Sequence, residues 1–168
     1  MMRPSVTALV AGVVAVLGLA GLIRGAVPQT AGGPALGGAA ADPIVVSGAY
    51  VREPASPDVA AAYFTVYNTT GADDTLTQVA TGAGEDAAVM SDAGGTMTAL
   101  ATGLRIPAHS SVTLKPGKYH VMIEHLVGPL KPGQFVNLQL TFANAGPVNV
   151  SAPVIAINAP APTVGASR

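Results

Sequence analysis

The chain has 168 residues, of which 49% are hydrophobic and only 10% are charged, with eight Lys and Arg against nine Asp and Glu. This near balance excludes a nucleic-acid-binding protein, which needs a clustered basic surface. The absence of Cys excludes disulfide frameworks, thiolate zinc sites, thiol nucleophiles and the Cys-ligated type of blue-copper centre. Twenty Gly and fourteen Pro favour short strands joined by turns over long helices.

The N-terminus predicts export from the cytoplasm. Arg3 precedes the uncharged run VTALVAGVVAVLGLAGLI, from Val6 to Ile23, and Arg24 follows it. Eighteen apolar residues are the lower limit for a membrane span and are long for the core of a signal peptide, so residues 1–27 form either a cleaved signal or an uncleaved anchor. Because no Cys follows the run, an anchor on a lipid-modified cysteine is excluded. Both alternatives place the rest of the chain outside the cytoplasm, in the periplasm, the cell envelope or the medium.

The remaining sequence divides into a linker, one domain and a tail. Residues 28–41 are a linker of Gly, Ala and Pro with little to bury. Residues 42–157 are long enough for one domain with a sandwich-sized core. Residues 158–168 are expected to form a disordered tail.

The domain is expected to contain ten short strands, because runs rich in Val, Ile, Thr and Tyr alternate with Gly, Pro, Asn and Asp, and no stretch keeps a helical period. In chain order the predicted strands are 44–53, 61–68, 75–81, 86–91, 96–100, 103–107, 111–116, 119–126, 135–143 and 148–155. The segment 92–95, DAGG, is predicted to be a turn whose two glycines close a hairpin. This spacing predicts an all-β fold, an antiparallel Greek-key β-sandwich or barrel.

Candidate metal ligands concentrate in the predicted strand 119–126. His120 and Met122 are two residues apart and therefore share one face of the strand, whereas Val121 and Ile123 occupy the opposite, apolar face. Thioether sulfur is soft and selects Cu(I), and imidazole also suits copper. Outside the cytoplasm a site made of Met and His needs no free thiol, so the pair indicates a Cu(I) carrier.

Each of these residues also has an ordinary structural interpretation. A Met in a β-rich domain commonly fills a gap in the core, and a lone His is commonly a surface residue. For His109, which lies in the turn-like segment PAHSS, and for His125, near the end of its strand, we favour that interpretation.

The segment from Met90 to Pro132 resembles the bacterial periplasmic copper chaperones of the PCu(A)C family. The matching motifs are GGTM (94–97), IPA (106–108), KPGKYHVM (115–122) and PLKPG (129–133), and AAAYFTVYNTTGADDTL (60–76) is similar to the family's second strand and following turn. The resemblance covers about residues 46–150 and implies a cupredoxin-like β fold.

The resemblance also implies a set of Cu(I) ligands, namely a first His, then a Met, then the His and Met of the H-x-M strand. Met97, His120 and Met122 match the last three. The position that aligns with the first His is Ala88, so that ligand is missing. Ala88 and Met90 share a face of a strand, and Met90 is therefore predicted to replace the lost His. The four residues would form a roughly trigonal or tetrahedral Cu(I) site with weak affinity for Cu(II).

The function implied by the resemblance is delivery of Cu(I) towards the Cu(A) centre of cytochrome c oxidase. The implied partners are an oxidase subunit and a thioredoxin-like copper chaperone, and we expect a monomer. The sequence has no GxSxG elbow, HExxH motif, P-loop or dinucleotide fingerprint, so we expect a binding protein and not an enzyme. Two alternatives stay open: an exported interaction domain with a degenerate metal site, and a protein that sequesters copper.

Overall fold

The structure, a computed structural model, describes residues 41–163, and over that range the chain forms ten β-strands without a helix. The predicted signal or anchor, residues 28–40 of the predicted linker and residues 164–168 lie outside the described residues. Between residues 41 and 163 there is no helix with the length and apolar character needed to cross a membrane.

All ten predicted strands are present, with ends that differ by a few residues. They are β1 (Ile44–Ser56), β2 (Val59–Asn68), β3 (Asp74–Thr81), β4 (Gly84–Ala93), β5 (Thr96–Ala99), β6 (Leu104–Ile106), β7 (Ser111–Thr113), β8 (Tyr119–Leu126), β9 (Phe135–Phe142) and β10 (Gly146–Ile155). The difference that matters for function is in β4, which is longer than predicted at both ends and includes Asp92 as a strand residue.

The strands are hydrogen-bonded in the order β5-β4-β8-β2-β1-β10-β9-β3-β6, and β7 pairs with β2. Strands distant in sequence are neighbours, since β4 pairs with β8 and β8 pairs with β2. Of the strand pairs, β1 with β10 is parallel and the others are antiparallel, so the predicted all-β fold is confirmed with one parallel pair added.

One hydrophobic core joins the two halves of this strand order. Val121 and Ile123 of β8 and Phe64 of β2 belong to the same buried cluster as Leu140 and Phe142 of β9. In β9 buried and exposed residues alternate along most of the strand, which is the period-2 pattern of a sheet with one face on the core. The core therefore fixes which face of each strand is free to carry a functional site.

The hairpin between β4 and β5 requires its two glycines. Ala93 pairs with Thr96, and the intervening Gly94 and Gly95 have φ values of 64° and 86°. A two-residue turn of type I′ needs positive φ at both central positions, which glycine adopts without steric cost. The predicted hairpin is confirmed, and it sets Met97 directly opposite Asp92.

The core predicts a clear difference between two neighbouring residues of β9. Leu140 is fully buried, and Leu140→Ala should lower the free energy of unfolding by about 2–5 kcal/mol through lost burial and a residual cavity. Gln139→Ala, at the adjacent exposed position, should change it by no more than about 0.5 kcal/mol. Urea unfolding of both variants measures this, and equal losses would contradict the assigned face of β9.

Candidate metal centre

The free face of β8 carries the two residues of the H-x-M motif. Val121 and Ile123 are fully buried in the core, so His120 and Met122 point to the other side of the sheet, as the alternation predicts. His120 is nevertheless only 5% exposed, whereas Met122 is half-buried. The motif therefore lies on the free face of the sheet, with its imidazole largely covered by neighbouring residues.

The neighbouring strand β4 adds residues to the same face. Met90 is the register partner of His120, and Ala88 is the partner of Met122. Directly opposite residues of an antiparallel pair project to the same side, so Ala88, Met90 and then Asp92 follow one another along this face. The position that the family resemblance aligns with a first His thus lies across from Met122, and the proposed substitute lies across from His120.

An open cavity of about 360 Å³ brings most of the candidate ligands together. Met97 of β5 and the pair His120 and Met122 of β8 all line it, and β4 lies between these two strands in the sheet. Asp92 lines the same cavity and was not singled out from the sequence. Met90 is half-buried on the same face of the sheet but is not among the residues lining the cavity.

The charge state of His120 reflects its position. Burial lowers the pKa of the ring below its ordinary value, and the negative charge of Asp92 acts in the opposite direction. The neutral form, which has a free nitrogen lone pair, is consequently favoured by the protein around it. Protons therefore begin to compete with a metal for this nitrogen at a lower pH than they would at an exposed His.

Two tyrosines form an aromatic wall beside the imidazole. The Tyr63 ring lies 6.3 Å from the His120 ring, centroid to centroid, and Tyr50 stacks on Tyr63 at 5.1 Å. Burial raises the pKa of the Tyr63 hydroxyl, and the neighbouring Tyr50 raises it further. Tyr63 also lines the cavity, so a largely buried aromatic ring borders the imidazole on this face of the sheet.

The start of the C-terminal segment forms another wall of the cavity. A guanidinium nitrogen of Arg52 donates hydrogen bonds to the carbonyl oxygens of Ile157, at 2.6 Å, and Ala159, at 3.0 Å. The Ala159 amide donates to the Ala156 carbonyl and closes a turn there. Ile157 lines the cavity, so Arg52 holds a wall of the site in place across more than one hundred residues of sequence.

The other two histidines lie apart from this cavity. His109 lies in the predicted turn with φ of 49°, near Gly71. His125 has φ of 52° and is exposed, with its ring nitrogen 3.4 Å from Asp86. Sequence reasoning missed Asp92, Tyr63, Arg52 and Ile157, because each reaches the site through pairing or contacts between distant segments.

The cavity is lined by both soft and hard donors. Among the described residues, no three His, Asp or Glu side chains form a group suited to a metal ion. The cavity instead offers two thioethers, one imidazole and two carboxylates, from Met97, Met122, His120, Asp92 and Glu53. Thioether and imidazole donors fit Cu(I), whereas a hard cation such as Mg²⁺ or Ca²⁺ would lack enough oxygen ligands.

Residues 44–154 match the profile of a family described as "Putative lipoprotein LpqE-like". The chain belongs to the LpqE-like family. A relative in Leifsonia xyli subsp. xyli, named "Putative lipoprotein Lxx21020", is 34% identical over 125 residues, which are 70% of this chain and 72% of the relative.

Solved structures similar to this LpqE-like protein include domains named PCuAC. The copper-bound PCuAC domain from PmoF2 has a TM-score of 0.60 at 24% identity, over 68% of this chain and 93% of that domain. DR1885 from Deinococcus radiodurans is 32% identical in its apo form, with a TM-score of 0.54, over 83% of this chain and 97% of DR1885. Its Cu(I) form has a TM-score of 0.53 at 29% identity, over 66% of this chain and 78% of that structure. The predicted cupredoxin-like β fold is therefore confirmed, and the resemblance to PCu(A)C proteins is supported.

The contact between Arg52 and the C-terminal segment predicts a local effect of mutation. Arg52→Met replaces the apolar stem of the arginine with a side chain of similar character but removes the guanidinium, and with it both hydrogen bonds to the segment. The amide of Ala159 should then exchange its hydrogen at least tenfold faster, measured by hydrogen exchange with mass spectrometry or NMR. Lys115→Met, which removes a positive charge at an exposed position, should leave that exchange rate unchanged. Equal protection in the Arg52 variant would show that other contacts hold the segment.

Proposed function

We propose that this LpqE-like protein is an extracytoplasmic copper chaperone that holds Cu(I) through Met97, His120 and Met122. The observation that supports this most strongly is that these three side chains, separated by up to 25 positions in sequence, line one open cavity. The copper-bound PmoF2 domain shares the fold, and the Cu(I) form of DR1885 shares both the fold and more of the sequence. A binding protein and not an enzyme is the function that this donor set suits best.

The cavity has one buried donor that can retain a metal and one exposed donor that a partner protein can reach. His120 is only 5% exposed, while Met97 is 58% exposed. A carrier has to release its metal, and an exposed thioether allows a partner's ligand to enter as Met97 leaves. This arrangement supports a delivery role over permanent storage, since a storage site gains from complete enclosure.

We further propose that Met90 supplies the fourth donor in place of the missing His. Its register position beside His120 supports this, because Met is long and unbranched and has three rotatable bonds with which to reach a neighbouring site. The resulting set would be three thioethers and one imidazole. Delivery towards the Cu(A) centre of cytochrome c oxidase, with a thioredoxin-like chaperone as partner, is the proposed destination, on the basis of the PCu(A)C resemblance.

The proposed location is outside the cytoplasmic membrane. The family description and the Leifsonia relative are both lipoproteins by name. This sequence contains no Cys to carry a lipid, so we propose that the apolar run of residues 6–23 directs or anchors it instead. Fractionation of cells that express the full chain tests this, and recovery in the cytosol would contradict it.

The Cu(I) site predicts a specific effect of His120. His120→Ala should lower the Cu(I) affinity of the purified chain at least tenfold, about 1.4 kcal/mol, because it removes the nitrogen donor. Titration of Cu(I) against a competing chelator under reducing conditions measures this. His125→Ala, which removes an exposed His from the same strand, is the matched control and should bind as the parent does. A His120→Ala variant with the parent's affinity would leave an interaction domain with a degenerate site as the better account.

The role of Met90 is tested by exchanging sulfur for carbon. Met90→Leu keeps most of the apolar volume and removes the thioether, so it should lower Cu(I) affinity about tenfold. In that variant, Ala88→His places an imidazole across from Met122 and should recover the loss. Unchanged affinity in Met90→Leu would reduce the site to the three ligands of the cavity.

A further inference from the structure

Asp92 is a carboxylate built into the candidate copper cavity. It lies near the end of β4, opposite Met97 in the β4–β5 hairpin, and it lines the cavity together with His120 and Met122. Its Oδ1 accepts a hydrogen bond from the backbone amide of Gly95 at 3.2 Å. That bond fixes the side chain at the hairpin and is made by one of the two carboxylate oxygens.

The charge of Asp92 reaches the interior of the cavity. It raises the pKa of His120, against the larger lowering effect of burial. It also raises the pKa of Tyr63, where burial again has the larger effect. The side chain is half-buried, so water screens this interaction less than it would at the open surface. The negative charge therefore lies close to the place where a cation would bind.

Among the donors of the cavity, two pairs differ in the oxidation state of copper that they favour. The thioethers of Met97 and Met122 are soft and neutral, and they favour Cu(I). The imidazole of His120 and the carboxylate of Asp92 are a nitrogen and an oxygen donor, the pair that Cu(II) prefers in tetragonal sites. The soft residues by themselves predict weak Cu(II) affinity, and Asp92 changes that expectation.

We infer that Asp92 completes an N,O pair with His120 that enables this cavity to bind Cu(II) as well as Cu(I). The inference rests on the proposed copper site and adds a ligand and a second oxidation state to it. In this arrangement His120 serves both ions, the methionines contribute chiefly to Cu(I), and Asp92 contributes chiefly to Cu(II). The site would then capture divalent copper, the form that an oxidising extracytoplasmic environment supplies.

The test compares Asp92→Asn with the parent, using the full chain in detergent. Asn keeps an oxygen that accepts the Gly95 hydrogen bond and removes the anionic donor. Cu(I) and Cu(II) affinities are measured separately by chelator competition, and the EPR spectrum of bound Cu(II) is recorded for each protein. Glu85→Gln, which removes the same charge from an exposed position of β4, is the control.

We expect Asp92→Asn to lower the Cu(II) affinity at least tenfold, to lower the Cu(I) affinity less than threefold, and to alter the EPR spectrum. A tenfold change in the ratio of the two affinities corresponds to a rise of about 59 mV in the reduction potential of the bound copper. Glu85→Gln should match the parent in all three measurements, and thermal unfolding shows whether each variant is folded.

The other outcomes overturn the inference in distinguishable ways. Unchanged Cu(II) affinity and EPR spectrum in Asp92→Asn, or equal losses for both ions, would remove Asp92 as a Cu(II) ligand and leave the proposed Cu(I) function intact. The same holds if the parent binds Cu(I) but not Cu(II). A parent that binds neither ion would overturn both this inference and the proposed function.

Discussion

The antiparallel pairing of β4 with β8 is the constraint on which the candidate site depends. This register sets Met90 beside His120, and a slip of one residue would turn the β4 residues of the site towards the core. Burial of Val89 opposes such a slip, because it too would change faces. The close approach at the start of β4 also requires Gly84, where a Cβ atom would lie 2.5 Å from the Glu124 carbonyl oxygen. The geometry of the donors is therefore fixed by main-chain pairing and core packing before any metal is present.

The same architecture gives each donor a different freedom of movement. His120 is only 5% exposed and has Tyr63 beside it, so its side chain has little conformational entropy left to lose when a metal binds. Met97 projects from a four-residue strand whose residues are all exposed, at the edge of the sheet order. A buried His120 and an exposed Met97 together would allow the site to bind a metal without enclosing it completely. Arg52 makes the cavity more rigid, because its hydrogen bonds to the carbonyl oxygens of Ile157 and Ala159 hold Ile157 in the cavity wall.

The sequence is sufficient to predict what depends on local pattern. Strand positions, the buried face of β8 and the glycine hairpin follow from period-2 alternation and turn chemistry, and the structure agrees. The sequence predicts a turn at Asp92 because DAGG contains only turn-forming residues and Ala, whereas pairing with β5 extends β4 through Ala93. Its place in the cavity follows from that pairing and has no local signal. The parallel β1–β10 pair and the contact of Arg52 with residue 157 join segments about one hundred positions apart, and a single sequence offers no pattern for either.

A cation bound in this cavity has an electrostatic requirement that uncharged donors do not meet. Thioethers and a neutral imidazole carry no charge, so a cation bound by them alone remains an uncompensated positive charge beside the buried His120 ring. Such a charge is costly in a partly desolvated cavity, and a nearby carboxylate offsets the cost. A His at the position of Ala88 would add a donor but no charge, whereas Asp92 supplies a charge from the same strand. The neutral donors and the carboxylate of Asp92 therefore differ in what they could give a bound copper ion: the former supply coordination, and the latter adds a negative charge, which matters more for the divalent ion than for the monovalent one.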